Sequence, residues 1–217
     1  MHKNVNNLIA IKDILKKKKD KDDPVKIIAV SKTFDISEIT PLIDYGHVDF
    51  GENKVQESVE KWSDIRKSSK NLKLHMIGKL QTNKVKYVVP LFDYIHSLDN
   101  LKLAEKISSE QKKNKKFLKI FIQVNIGNEH QKNGIPYDQV ESFYKKCVKD
   151  LKLDVIGLMC IPPIDGDVKL YFSKVQKLNL FLGLKELSMG MSSDYLEAIN
   201  YGSTYIRVGS KIFGQRS

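Results

Sequence analysis

The sequence predicts an α/β chain closed into a (β/α)8 TIM barrel with an additional N-terminal helix, on three observations. Short β-rich runs alternate with longer segments of helical periodicity from one end to the other, as βα units on a parallel sheet require. No Gly-x-Gly-x-x-Gly follows the first run, so the main competitor, an open six-stranded dinucleotide-binding sheet, lacks its phosphate cradle. Glycine- and serine-bearing loops follow the last two runs, where barrels commonly hold phosphate.

Taken in order, the predicted strands are Ile27–Ser31, Val48–Gly51, Leu72–Ile77, Tyr94–Leu98, Phe117–Val124, Asp154–Met159, Glu186–Met189 and Ser203–Val208. Each is a short apolar or β-branched run bounded by polar or turn-forming residues. Amphipathic helices are predicted near 36–45, 53–69, 79–89, 100–113, 137–150, 167–182 and 193–201, after a first helix near 4–19. Ser37 is the expected cap of one helix and Asp99 of another. Asp44-Tyr45-Gly46 and Asn200-Tyr201-Gly202 read as glycine-terminated helix ends. With no linker or low-complexity stretch, a single domain over 1–217 is expected.

Composition narrows the classes. A hydrophobic content of 41% over 217 residues supports one sizeable core. The longest apolar runs, Phe117–Val124 and Leu178–Leu184, fall short of the ~18 residues a membrane helix needs. The segment Met1–Asp20 offers no signal-peptide core or cleavage site, so a cytoplasmic protein with no membrane partner is expected. Cys147 and Cys160 are too few for a disulfide scaffold, which fits a reducing compartment. The net charge of +11 comes from dispersed lysines, clustered only at Lys16–Lys19 and Lys112–Lys116, with no nucleic-acid-binding motif around them. A solvated surface and no nucleic-acid partner are expected. The histidines His2, His47, His96 and His130 share no metal-ligand spacing with one another or with the cysteines, and no metal is expected.

Barrel active sites form at the C-terminal ends of the strands. Lys32 stands just past the first. A lysine there often just reaches solvent, but a buried barrel mouth disfavours the ammonium and leaves a neutral amine that condenses with an aldehyde. After the seventh strand, Gly190-Met191-Ser192-Ser193 sets a flexible glycine and two hydroxyls before a helix. After the eighth, Gly209 and Ser210 open a short terminal helix whose free N–H groups suit a dianion. Arg207, on the eighth strand, reads either as a surface or inter-strand ion pair or as a guanidinium facing a cofactor ring, where it would discourage protonation of a pyridine nitrogen. His75, expected to titrate near neutrality, and Asn53, able to donate to a ring oxygen, read equally as satisfied polar groups at the rim.

Ordered motifs along nearly the whole chain then resemble one family. They are Ala29-Val30-Ser31-Lys32-Thr33, Phe50-Gly51-Glu52-Asn53-Lys54-Val55-Gln56-Glu57, and His75-Met76-Ile77-Gly78-Lys79-Leu80-Gln81-Thr82-Asn83-Lys84. Val124-Asn125 with Glu129, Lys132 and Gly134 follows, then Gly157-Leu158-Met159 with Ile161-Pro162. Leu187-Ser188-Met189-Gly190-Met191-Ser192, and Gly202 to Gly209 with Ile212-Phe213-Gly214, complete the series. In these the chain resembles the pyridoxal phosphate homeostasis proteins, relatives of the alanine racemase N-terminal domain.

The resemblance implies an alanine racemase N-terminal-domain type of barrel that carries pyridoxal 5′-phosphate (PLP) as an internal aldimine on Lys32 and acts in vitamin B6 homeostasis. It implies phosphate binding by Ser192, Gly209 and Ser210, Arg207 near the pyridine nitrogen, and Asn53, His75 and Ser188 around the pocket. It further implies PLP-dependent apoenzymes as partners and an effect on amino-acid and keto-acid balance without catalytic turnover. A weak amino-acid racemase is the alternative. Racemisation needs an acid or base on each face of the substrate, and the sequence ends at Ser217, so no second domain bringing the racemase tyrosine is expected. A monomer is expected, because no long apolar patch stands out. The sequence departs from the family at the short connection between the helix near 167–182 and the seventh strand, which bears on local stability at the bottom of the barrel.

Overall fold

The computed structural model describes residues 1–18, 24–127, 129 and 133–215; Lys19, His130 and Lys132 lie outside these. Its strands are β1 (Lys26–Val30), β2 (Asp49–Glu52), β3 (Lys73–Met76), β4 (Tyr94–Leu98), β5 (Lys119–Asn125), β6 (Ile135–Pro136), β7 (Asp154–Cys160), β8 (Glu186–Met191) and β9 (Tyr205–Val208). All ladders are parallel, in the order β4-β3-β2-β1-β9-β8-β7-β5, and β4 pairs with β5 to close an eight-stranded barrel. The expected barrel is therefore formed. The two-residue β6 is additional and continues only the end of β5, pairing Val124 with Ile135.

The helices are α1 (Lys3–Lys18), α2 (Ile36–Asp44), α3 (Val55–Ser68), α4 (Val85–Leu91), α5 (Leu101–Asn114), α6 (Val140–Lys149), α7 (Val168–Phe181), α8 (Tyr195–Asn200) and α9 (Ser210–Phe213). The extra helix α1 buries Val5, Leu8, Ile11 and Leu15 at helical spacing. Its Asn4 Nδ2 donates to the Glu38 carbonyl and carboxylate on α2, and Asn7 Nδ2 to the Ile212 carbonyl on α9. The beginning and end of the chain are thus tied together outside the barrel. Among the described residues no helix is long and apolar enough to cross a membrane.

Two caps differ from expectation. Helix α5 is capped by Asn100, not Asp99: the Asn100 side chain accepts the Leu103 N–H. Helix α2 starts two residues earlier than a Ser37 cap requires, with Asp35 at the cap position and no side-chain bond there. The glycine ends hold, with Gly46 at φ +89° and Gly202 at φ +78°, a region that L-residues rarely adopt. The short α7–β8 connection is well secured. Asn179, buried on α7, accepts the Leu158 N–H of β7 and donates to the Leu184 carbonyl, so one side chain ties the turn to the helix and to the neighbouring strand.

The core has two shells. The larger lies between sheet and helices and includes Trp62, Leu74, Ile107, Phe172 and Val208. The smaller fills the barrel's interior with Ile28, Tyr94, Phe121, Met159 and Tyr205. Alternation along β1 places Lys26, Ile28 and Val30 on one face. Lys26 donates to the Tyr205 hydroxyl and Ile28 belongs to the interior cluster, so this is the barrel-facing side, and Lys32 follows in the turn just past the end of β1.

Candidate functional site

The turn that carries Lys32 is pinned from below. The Ser31 N–H donates to the Gly51 carbonyl, continuing the β1–β2 ladder one residue beyond β1, and the Phe34 N–H closes back onto the Ser31 carbonyl. Thr33 sits at φ +67°, unusual for a β-branched residue, and its N–H is bound by the Glu57 carboxylate at 2.6 Å. Lys61, from the same helix α3, donates to the Ser31 carbonyl (2.9 Å), Glu52 (3.1 Å) and Glu57 (3.0 Å). Glu52 is fully buried and its Oε1 also accepts from the Ser31 hydroxyl and the Trp62 indole. Burial alone would raise the Glu57 pKa, but the Thr33 N–H and the Lys61 ammonium outweigh it and hold the carboxyl below its usual value. The backbone around Lys32 is therefore held by a buried ion cluster rather than left as an open loop.

The terminal loops meet this turn. An ideal Cβ on Gly209 would lie 3.4 Å from Val30 Cβ and 3.5 Å from its carbonyl oxygen, which places the end of β9 directly against the end of β1. The Gly209 N–H donates to Ser192 Oγ at 3.3 Å, joining the loop after β8 to the loop after β9. Gly190, at φ +89°, has no room for a side chain, since a Cβ would come within 2.7 Å of Tyr195 Cα and Ala198 Cβ. Lys32, Ser192, Gly209 and Ser210 thus all lie at the C-terminal ends of adjacent strands, as expected of an anion cup facing an amine.

Arg207 projects into the barrel and is almost completely buried. Its Nη1 donates to the Ser188 carbonyl (2.7 Å) and hydroxyl (2.6 Å), and its Nη2 to the Cys160 carbonyl (2.9 Å). Three of five guanidinium N–H donors are so used, and among the described residues the other two have no protein acceptor. The inter-strand ion pair is not what forms, because every acceptor here is neutral. Ser188 acts through Arg207, which it grips with two oxygens.

His75 lies deeper than a rim position. It is fully buried, with Nε2 3.0 Å from Asp49 Oδ1 and Nδ1 3.0 Å from His96 Nε2, and its ring stacks on Tyr94 at 4.2 Å. The expectation that it titrates near neutrality is corrected: burial lowers its pKa against the pull of Asp49. His96, lowered further by burial and by its neighbours His75 and Arg207, has Nδ1 2.9 Å from the Ser188 hydroxyl. Asn53 lies against Gly78, where a Cβ would clash with the Asn53 backbone at 2.4 Å. Among the described residues its buried Oδ1 lacks a hydrogen-bond partner, as does buried Ser97 Oγ at the end of β4.

Such orphaned polar atoms at strand ends are what a polar ligand satisfies on binding. With a lysine, a hydroxyl-and-amide cup and a guanidinium with spare donors at the strand ends, these residues fit pyridoxal phosphate. Sequence reasoning missed Lys61, Glu57, His96 and Asp49; the inward parity of His96 with Tyr94 on β4 was the available signal.

Comparison with known proteins agrees with this geometry. The alanine racemase N-terminal domain family matches residues 6–217. A pyridoxal phosphate homeostasis protein of Haemophilus influenzae is 37% identical over 217 residues, covering 95% of this chain and 92% of that protein. The chain belongs to the pyridoxal phosphate homeostasis proteins. The family member of Aquifex aeolicus is 36% identical, covering 88% of this chain and 87% of its own. PipY of Synechococcus elongatus, a structure with PLP bound, superposes with a TM-score of 0.86 at 29% identity, covering 97% of this chain and 100% of PipY. An alanine racemase of Clostridium difficile shares the fold at a TM-score of 0.75 and 16% identity, over 99% of this chain and 57% of the racemase.

Proposed function

We propose that this protein binds pyridoxal 5′-phosphate as a Schiff base on Lys32 and takes part in vitamin B6 homeostasis in the cytoplasm, affecting amino-acid and keto-acid balance without catalytic turnover. The carrying observation is the meeting of the pinned Lys32 turn with the Gly209–Ser192 loops at one end of the barrel. The names of its relatives and the PLP-bound PipY structure support the same reading.

In this reading the cofactor supplies an aldehyde to the lysine amine and a phosphate to the cup. Ser192, Gly209 and Ser210 bind the phosphate, Arg207 faces the pyridine nitrogen and Asn53 completes the pocket, while the buried His75 and Ser188 lie behind Arg207 within the barrel. An arginine at that nitrogen favours a neutral ring, a weaker electron sink than a carboxylate partner gives, which suits holding the cofactor over transforming substrates with it. The protein acts as a monomer that passes PLP to dependent apoenzymes.

Spectrophotometric titration of purified protein with PLP tests this directly. Wild type acquires a visible absorption band and Lys32→Ala does not, while both retain the same thermal transition; an unchanged band in Lys32→Ala refutes the assignment. Incubation of the loaded protein with single L-amino acids, followed by chiral chromatography, tests the absence of turnover. A rate above ~1 s⁻¹, the low end of ordinary enzymes, overturns it.

A further inference from the structure

The barrel's interior carries a polar chain of which the proposed function uses only the Arg207 end. Asp49 Oδ1, His75, His96, the Ser188 hydroxyl and Arg207 Nη1 follow one another at 3.0, 3.0, 2.9 and 2.6 Å. The chain runs from the first residue of β2, at the N-terminal end of the barrel, to the guanidinium near its mouth. It passes among Tyr94, Phe121 and Tyr205, where barrels ordinarily place layers of branched apolar side chains.

Its donor directions follow from both ends. Asp49 accepts, so His75 donates from Nε2. A neutral imidazole donates from one nitrogen only, so His75 Nδ1 accepts from His96 Nε2–H, and His96 Nδ1 in turn accepts. From the other end, Arg207 donates to Ser188 Oγ, and the Ser188 hydrogen has no acceptor among the described residues other than His96 Nδ1. The two derivations agree. One unbroken sequence of donors runs from a cation to a carboxylate, and burial keeps both rings neutral, as that sequence requires.

Stability alone does not explain it, because replacing a buried polar set by apolar side chains of similar volume is often neutral or stabilising. Building on the assignment of Arg207 to the pyridine nitrogen, we propose that Asp49, His75 and His96 are positioning residues for that contact. They fix the Ser188 hydroxyl as a donor toward His96, so that its oxygen accepts from Arg207 and holds the guanidinium plane toward the cofactor ring. Asp49 sets the direction from the far end, where it borders a cavity of about 680 Å³ lined also by Lys12, Lys26 and His47.

The test uses full-length protein loaded with PLP labelled with ¹⁵N in the ring, and reads the pyridine nitrogen resonance together with the visible band. Arg207→Gln displaces the resonance. Asp49→Ala, which removes only the distant acceptor, displaces it in the same sense, as does His96→Phe, which keeps an aromatic ring against Phe121. Asp49→Asn restores the wild-type position, because its side-chain oxygen still accepts from His75 Nε2–H. His47→Gln, beside Asp49 but outside the chain, leaves it in place. If Arg207→Gln moves the resonance while Asp49→Ala and His96→Phe do not, the relay is refuted and the Arg207 assignment stands. If Arg207→Gln leaves it unmoved, the assignment and the relay fall together. Should His96→Phe not fold, the Asp49 pair decides, since that side chain is partly exposed at the barrel's other end.

Discussion

Replacing Lys61 by methionine isolates what holds the Lys32 turn. The ammonium is 9% exposed and touches the Ser31 carbonyl, Glu52 and Glu57, and Glu52 is completely buried. Methionine keeps much of the stem's packing and removes the charge, leaving Glu52 as a buried carboxylate with only Ser31 and Trp62 as donors. Removing one partner of a buried pair costs ~3–5 kcal/mol. The two surviving donors place the expected loss at the lower end, ~3 kcal/mol. For a chain of this size that corresponds to a drop of roughly 6–12 °C in Tm, at ~2–4 °C per kcal/mol. Urea denaturation followed by far-UV circular dichroism measures the loss, with Lys67→Met as the control. Lys67 pairs with Asp64 in full solvent, at 77% and 92% exposure, and such pairs contribute at most ~1 kcal/mol. A Lys61→Met midpoint indistinguishable from that of the control would refute the view that this cluster holds the turn. The same variant is expected to weaken PLP capture, since the Ser31 carbonyl and the Glu57 bond to Thr33 lose their common anchor.

Further outcomes follow from other parts of the structure. Gly190→Ala combines a φ of +89° with a Cβ contact of 2.7 Å and is expected to cost ~2–4 kcal/mol, against ~1 kcal/mol for Gly183→Ala, which has φ +69° and open space; equal losses in urea would contradict this. His47 is pushed down to about 4 by burial from the ordinary 6.5. Between those values the unfolded chain binds the proton and the folded one does not, so stability falls as pH falls through that window, by on the order of 3 kcal/mol from this residue. His47→Gln should flatten the pH dependence of the urea midpoint there, and an unchanged slope would count against a neutral buried ring. Cys147 and Cys160 are buried and each thiol is pushed up to about 12 by burial, so iodoacetamide at pH 8 is expected to label neither until urea unfolds the protein. Rapid native labelling of Cys160 would show that the barrel around Arg207 opens.

Much of the barrel could be read from the chain because each strand is a short run dense in apolar and β-branched residues, a local signal that needs no partner. The two-residue β6 could not, since Ile135-Pro136 is too short to show a period and contains a residue that ordinarily argues against a strand. The placement of Lys32, Gly209 and Ser192 at one end of the barrel was legible because the C-terminal ends of barrel strands are a defined place to look. Lys61 was not: on a helix rich in charge it reads as a solvated lysine, and only the contact of α3 with the turn after β1 and with Glu52 buries it. The Asp49-to-Arg207 chain was hidden for a different reason. Its members come from five strands, and no sequence spacing marks side chains that meet only when the barrel closes.

The account rests on the amine of Lys32. Borohydride reduction of the PLP-loaded protein, followed by proteolysis and mass spectrometry, is expected to place the whole phosphopyridoxyl mass increment on the peptide containing Lys32 and to leave the phosphate bound until the chain is unfolded. An increment on another lysine, or none at all under saturating cofactor, would contradict it.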